Sequence, residues 1–250
     1  MSGALSPRLL ASAFARSFLI QGSWNYRTML GSGFAFAMLP ALRVIFRGDP
    51  AALEASLQRH LEHFNAHPYL SGVALGAALR MESEGEDPEQ VRRFKTAIRG
   101  PLGGLGDTLV WASWLPSISM LALAAYWLGL PGWAAVTLFL VIYNLGHIGL
   151  RAWGFQVGFH GGRGVARSLS AARLGAVTER VRAAGALLLG LLVGAVLGGN
   201  GGLGEAGTLW GALGAAGFLG GALVGHRLWR PAAVAVVAAV ALLATWGWVS

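Results

Sequence analysis

Residues 132–150 read GWAAVTLFLVIYNLGHIGL, a stretch without lysine, arginine, aspartate or glutamate. A helix needs about 20 consecutive apolar residues to cross the hydrocarbon core of a bilayer. Further stretches of this kind follow and precede it, at 108–128, 184–199, 207–225 and 231–249. In lipid, a single segment can satisfy its backbone hydrogen bonds within itself by forming a helix. The sequence therefore predicts about five transmembrane helices in its C-terminal half.

The composition of the whole chain is that of a membrane protein. Of its 250 residues, 55% are hydrophobic and 12% are charged, and the mean hydropathy is +0.57, whereas soluble domains carry about 25% charged residues. The 38 glycines suit helices that pack closely in lipid. There is no cysteine, which excludes disulfides and thiolate chemistry. The net charge of +8 reflects arginines that flank apolar stretches, so no nucleic-acid partner is predicted.

Residues 1–107 differ from the rest of the chain in their charge and in their apolar stretches. Basic and acidic residues are nearly balanced there, and the stretches 8–20, 28–46 and 69–81 are amphipathic, short or interrupted. Such stretches are typical of helices that lie at the membrane interface or re-enter the bilayer. The sequence therefore predicts an all-α integral membrane protein in two parts, with amphipathic and re-entrant helices in 1–107 and transmembrane helices in 108–250.

The arginines predict the orientation of the chain. Segment 151–182 carries six arginines and one glutamate, and 226–231 carries two more arginines, whereas 129–131 and 200–206 carry no lysine or arginine. The positive-inside rule places arginine-rich connections in the cytoplasm. Since consecutive spans alternate in direction, residues 1–107 fall on the same side. We therefore expect a multi-pass protein with a cytoplasmic N-terminus.

Residues 100–116, GPLGGLGDTLVWASWLP, combine helix-breaking residues with apolar surroundings. The proline and the glycines predict a break in the helix, and discontinuous helices form substrate sites in transporters. Asp107 is suited to bind sugar hydroxyls, and Trp111, one turn later, to stack on the apolar face of a sugar. The alternative is that Asp107 only caps a helix that begins at Thr108. The glycine spacing does not match a nucleotide-binding loop, and no cofactor is predicted.

Residues 60–69, HLEHFNAHPY, supply a second group of polar side chains. A helix is predicted over 51–66, and three histidines at i, i+3 and i+7 have the spacing of one helix face: His60, His63 and His67. Three histidines at this spacing suggest a metal-dependent membrane enzyme as one alternative. However, Pro68 interrupts that face and no HExxH motif is present. We therefore predict no metal site, with Asn65 and His67 pointing into a substrate site and His60 at the surface.

A third group lies in residues 143–158, YNLGHIGLRAWGFQVG, where Asn144, His147 and Arg151 share a helical stripe. Polar residues inside a span usually face protein or a water-filled path. Asn144 and Arg151, together with Asn25, are predicted to support the site or an interface. For Arg151 the alternative is an anchor whose charged end reaches the membrane interface. No nucleophile–base pair stands out, so no catalytic residue is predicted.

Four motifs in order resemble the IID component of the mannose/fructose/sorbose family of sugar phosphotransferase systems. They are QGSWNY at 21–26, HLEHFNAHPYLSG at 60–72, GPLGGLGDTLVW at 100–111 and YNLGHIGLRAWGFQVG at 143–158. The resemblance covers about residues 14–165, and the C-terminal third is similar in character alone.

The resemblance implies a membrane subunit that acts with a IIC subunit to bind and translocate a hexose. It also implies soluble IIA and IIB proteins that relay phosphate from phosphoenolpyruvate, with IIB phosphorylating the sugar. The IID chain would carry no phosphoryl group and no cofactor. Its location would be the bacterial inner membrane, in an oligomer of IIC–IID units.

The chain departs from the family pattern at a few positions: His63, Gly103, Thr108, Leu115 and His147. At the last two of these, the family often has arginine, so basic groups near the predicted site are missing. This favours, as an alternative function, a degenerate IID-like protein with a regulatory or assembly role and no transport.

Overall fold

The computed structural model describes the backbone of residues 5–199 and the side chains of residues 5–193. Over this part of the chain the regular structure is helical, without a strand. The elements are α1 (Pro7–Ser17), α2 (Gly31–Ile45), α3 (Pro50–Leu61), α4 (Ser71–Glu84), α5 (Pro88–Gly106), a π-helix (Asp107–Trp114), α6 (Leu115–Trp127), α7 (Gly132–Gly161), a 3-10 turn (Gly162–Gly164), α8 (Val165–Ala171) and α9 (Leu174–Gly199). They form two compact units. Of the described residues, the first contains 5–115 and Leu140–Thr178, and the second contains Pro116–Phe139 and 179–199.

Three helices of the first unit begin in the same way, with a polar cap followed by proline. The caps are Ser6 for α1, Asp49 for α3 and Asp87 for α5. The Asp49 carboxylate accepts a hydrogen bond from the Ala52 amide at 2.9 Å, and the Asp87 carboxylate accepts one from the Glu89 amide at 2.8 Å. The cap satisfies an amide that has no partner within the helix, and proline fits the first helical position because it has no amide hydrogen.

The core of the first unit lies between α2 and α4. Phe34, Met38 and Leu42 of α2 are fully buried, as are Leu75 and Leu79 of α4. Burying each such side chain contributes about 1.5–3 kcal/mol. After Ser71, the next eight positions of α4 are apolar on all sides, which is typical of a helix surrounded by protein or lipid.

Glycine lets α4 and α7 touch through their backbones. A Cβ atom at Gly76 would collide with the carbonyl oxygen of Phe155, and one at Gly158 would collide with the carbonyl oxygen of Val73. This is the close approach between helices that the high glycine content predicts.

Two helical runs among the described residues are long and apolar enough to cross a membrane, Pro88–Trp127 and Gly132–Ala171. They agree with an all-helical membrane protein, but the prediction of about five spans in 108–250 is not supported. The predicted span 184–199 forms the C-terminal part of α9. Two other predicted spans lie outside the described residues: 207–225 and 231–249.

The predicted break within residues 100–106 is wrong, because α5 continues through Pro101 to Gly106. Proline in a helix removes one backbone hydrogen bond, and here the burial of Ile98 and Leu102 on the same helix keeps the chain helical. The backbone changes later, at Asp107, where a π-helix with hydrogen bonds five residues apart replaces the α-helix.

Candidate functional site

A cavity of about 210 Å³ lies in the first unit. Its walls come from the turn before α2, the loop between α3 and α4, the end of α5 and the π-helix. The lining residues are Gln21, Trp24, Leu30, Asn65, Ala66, His67, Pro68, Gly103, Asp107 and Trp111. All four residues that the sequence predicts for a substrate site, Asn65, His67, Asp107 and Trp111, are therefore brought to one place.

The loop that carries Asn65 and His67 is held by a short backbone pairing with the turn before α2. The Leu30 amide donates to the Phe64 carbonyl at 2.9 Å, and the Phe64 amide donates to the Thr28 carbonyl at 3.1 Å. The Phe64 side chain is fully buried. This pairing draws the chain out of α3 after Leu61, so the predicted helix over 51–66 ends five residues early.

His67 is buried, with 2% of its surface exposed, and its protonation is defined by its neighbours. The Tyr69 amide donates to Nδ1 at 3.2 Å, so the ring hydrogen of the neutral form lies on Nε2. Nε2 has no hydrogen-bond partner among the described residues. Burial, with smaller contributions from Arg151 and His147, lowers the pKa of His67 to about 4. His67 is therefore neutral near pH 7 and has an unused donor.

Gly106 makes room for His67. A Cβ atom at position 106 would collide with Cβ and Cγ of the histidine. The ring also meets Trp111 edge-on, with ring centroids 4.8 Å apart. Glycine at the end of α5 thus allows the histidine to pack against the helix that carries the other half of the site.

Asp107 and Trp111 extend from the first turn of the π-helix. Both side chains are exposed, and Trp111 has 51% of its surface accessible. Asp107 has helical backbone angles, and its side chain does not cap the following helix. The alternative that Asp107 only caps a helix beginning at Thr108 is therefore wrong. A π-helix is wider than an α-helix and is frequent at functional sites, and here it presents a carboxylate and an indole to one cavity.

Gln21 and Trp24 line the cavity but are absent from the predicted site residues. Both belong to the QGSWNY motif, which was the available signal. Asn25 of that motif does not line the cavity. Its side chain accepts a hydrogen bond from the Thr28 amide at 2.9 Å and donates to the Thr28 hydroxyl at 2.8 Å. Asn25 therefore shapes the turn that presents Trp24.

Arg151 lies behind the site, with 4% of its surface exposed. It donates to the Ser17 carbonyl at 2.8 Å and to Nε2 of His147 at 2.7 Å, and its guanidinium lies 5.3 Å from the ring centroid of Tyr69. The alternative of an anchor at the membrane interface is wrong, because the charge is buried in protein. Asn144 is exposed and donates to the Leu140 carbonyl of its own helix at 2.7 Å.

The three histidines of the alternative metal site are separated. His60 is fully buried, contrary to the prediction of a surface position, and its Nε2 lies 2.9 Å from the Glu82 carboxylate. His63 lies outside α3 with Nδ1 3.0 Å from the Arg99 guanidinium. No group of three or more metal-ligand side chains occurs in the described part of the chain.

His60 and Glu82 belong to a second polar cluster, the α3–α4–α5 cluster, which also contains Arg59 and Lys95. Arg59 donates to Glu82 at 2.9 Å and Lys95 donates to the Arg59 carbonyl at 2.7 Å. Burial lowers the pKa of His60 to about 4. Burial alone would raise the pKa of Glu82, but the hydrogen bond from His60 and the charge of Arg59 bring it below its usual value.

The chain resembles known proteins over most of the described residues. A sequence model described as the PTS system mannose/fructose/sorbose family IID component matches residues 4–199. The mannose-specific EIID component of Escherichia coli K12 is 30% identical over 74% of this chain, and the fructose permease IID component of Bacillus subtilis 168 is 30% identical over 76%. The matches span 66% and 70% of these relatives' own lengths.

Two solved structures are also similar to this chain. A chain in the cryo-EM structure of the mannose transporter ManYZ with microcin E492 is 29% identical, with a TM-score of 0.60. The match covers 76% of this chain and 71% of that one. A second solved structure, described as a membrane protein, is 30% identical with a TM-score of 0.66.

Proposed function

We propose, from the premise that this chain belongs to the IID components of the mannose/fructose/sorbose phosphotransferase family, that it acts with a IIC subunit to bind and translocate a hexose. The observation that carries this proposal is the cavity. It collects Asn65, His67, Asp107 and Trp111 from two separate segments of the sequence. Neighbours in the family carry names that refer to mannose, fructose and sorbose.

The chemistry of the lining suits a sugar. The Asp107 carboxylate accepts hydrogen bonds from hydroxyl groups, neutral His67 offers a donor, and Asn65 offers both kinds of group. Indole faces such as that of Trp111 provide large apolar surfaces with a polar edge. The cavity is smaller than the roughly 300–1,000 Å³ of sites for drug-sized ligands, which suits a monosaccharide.

The wider assembly follows from the same premise. IIB, phosphorylated through IIA, would transfer phosphate to the hexose, and IIC–IID units would associate further. We place the protein in the bacterial inner membrane as a multi-pass protein with a cytoplasmic N-terminus. In this proposal residues 1–107 form an amphipathic and re-entrant part and 108–250 a transmembrane part. None of the relatives favours the alternative of a degenerate protein without transport.

The test is uptake of labelled hexoses by the chain co-expressed with IIC, IIB and IIA. Asp107→Asn keeps the shape of the side chain but removes its charge. A hydrogen bond to a charged group contributes about 1.5–3 kcal/mol, so we expect roughly a tenfold or greater loss of uptake. Recovery of the complex by co-purification should not change.

The matched control is Glu54→Gln, which removes an exposed carboxylate from α3 without touching the cavity. It should leave uptake unchanged. Full uptake by Asp107→Asn would contradict the assignment of the site, whereas failure of the wild-type chain to co-purify with IIC would contradict the subunit role itself.

A further inference from the structure

A second cavity lies at the corner where α7 ends and α8 begins, far along the sequence from the sugar site. Its volume is about 330 Å³, and it is lined by Gln156, Val157, His160, Gly161 and Ser168. Gly162 forms the corner with a φ of +47°, in the left-handed region that favours glycine. The turn brings Ser168 of α8 back to α7, and its Oγ would lie 3.7 Å from a Cβ atom at Gly161.

The lining offers hydrogen-bond donors and no carboxylate. The amide group of Gln156 and the hydroxyl group of Ser168 have no hydrogen-bond partner among the described residues. His160 uses Nδ1 to donate to the Gln156 carbonyl at 2.8 Å, which leaves Nε2 directed elsewhere.

The surrounding segment carries positive charge that is not neutralised. Arg163 and Arg167 flank the corner in the chain and are exposed. Neither has an ion pair or hydrogen bond with a described residue, in contrast to nearby Arg80, which binds Glu84 at 2.6 Å. Arg173, after α8, is also exposed and without a described acidic partner. Arg163 and Arg167 do not line the cavity themselves, but in the chain they lie next to its lining residues Gly161 and Ser168. Exposed arginines without an acidic partner attract anions.

We propose that the α7–α8 corner binds the phosphate group of an anionic ligand. Arginine presents planar donors that match phosphate oxygens, and hydroxyl and amide groups complete such a site. Two sources of phosphate fit this chemistry: the headgroup of an anionic phospholipid, which basic pockets near helix ends bind, and soluble phosphate. The proposal is independent of sugar transport, and none of the sugar-site residues takes part.

The experiment uses the full chain purified in mild detergent. Binding of phosphatidylglycerol is measured by native mass spectrometry, and binding of inorganic phosphate by calorimetry. The test variant is the double substitution Arg163→Gln with Arg167→Gln. Because each arginine near a membrane surface contributes about a factor of five to attraction of anionic lipid, we expect roughly a thirtyfold loss of affinity.

The matched control is Arg43→Gln with Arg47→Gln, which removes the same charge from exposed positions at the end of α2 and after it. It should retain the wild-type affinity. The conservative pair Arg163→Lys with Arg167→Lys should recover part of the binding, and unchanged elution on size exclusion shows that the variants fold.

The two probes distinguish a lipid headgroup from soluble phosphate as the source of the bound phosphate group. Retention of phosphatidylglycerol that millimolar phosphate does not displace supports a lipid headgroup site, and phosphate binding without lipid retention supports a site for a soluble phosphate compound. Equal affinity of the wild type and the Arg163/Arg167 glutamine variant for both probes would overturn the proposal. So would an equal loss in the control variant, because it would show that the effect depends on net charge alone.

Discussion

The first unit contains two polar clusters, and they differ in whether their polar groups are buried and paired with each other. In the α3–α4–α5 cluster, Glu82 is buried and binds both Arg59 and His60. In the cavity, the side chain of Asp107 is exposed, and His67 Nε2 has no described partner. Each cluster contains a histidine whose pKa is lowered to about 4. The difference indicates that one cluster joins helices to each other, whereas the other keeps its polar groups available for a ligand.

The strongest way to test this contrast is to remove the shared acceptor of the buried cluster. Glu82→Gln leaves the Arg59 guanidinium buried without its counter-charge, and breaking a buried pair in this way costs about 3–5 kcal/mol. We expect a large fall in the unfolding midpoint in detergent, measured by thermal or denaturant unfolding. Glu84→Gln, at an exposed pair on the same helix, should change the free energy of unfolding by at most about 1 kcal/mol. Equal effects of the two substitutions would remove the distinction between the clusters.

A smaller effect is expected from Gly106→Ala, which tests the packing of His67, a residue of the cavity, against α5. The added methyl group collides with His67, and overpacking of this kind costs about 1–3 kcal/mol. Gly104→Ala is the control, since nothing lies within 4 Å of its added Cβ atom. In a helix that change should stabilise the protein by about 0.5–1 kcal/mol. If both substitutions changed the free energy of unfolding in the same direction, contact with His67 would not be what excludes a side chain at position 106.

The smallest effect is the pH dependence that the two buried histidines share. Their pKa values are about 4 in the folded protein and about 6.5 when unfolded, so the unfolded chain binds more protons between these values. The stabilisation is complete above pH 6.5 and is lost as the pH falls toward 4. Between pH 7 and 6 we expect the free energy of unfolding to fall by about 1.4 kcal/mol, about 0.7 kcal/mol for each histidine. His67→Gln should remove about half of this dependence, and an unchanged dependence would assign it to other groups.

The sequence predicted most of the helices of the first unit because their start signals are local. Proline after an acidic or hydroxyl cap marks α3 and α5 without reference to the rest of the chain. The end of α3 was not predictable in the same way. It depends on the pairing of Phe64 with the turn before α2, a tertiary contact that outweighs the signal from Pro68.

The four predicted site residues were found because they occur in motifs that resemble a known family and have a clear chemical character, and the structure places them around one cavity. The buried position of His60 was missed for a physical reason. Its spacing with His63 and His67 describes one helix face, whereas its burial depends on Glu82 from another helix. The π-helix was also missed, because proline and glycine are local signals for a break and the packing of α5 decides otherwise.

The glycine contact between α4 and α7 has a consequence for the lifetimes of hydrogen bonds. Where the Gly76 and Gly158 backbones approach each other, neither a layer of side chains nor a gap for solvent separates α4 from α7. Its amides exchange with solvent when the whole unit opens, because segments buried on all sides open at the free energy of global unfolding. The turn that carries Trp24 is exposed and adjoins the cavity, so its amides should exchange by local opening and faster than those of α4.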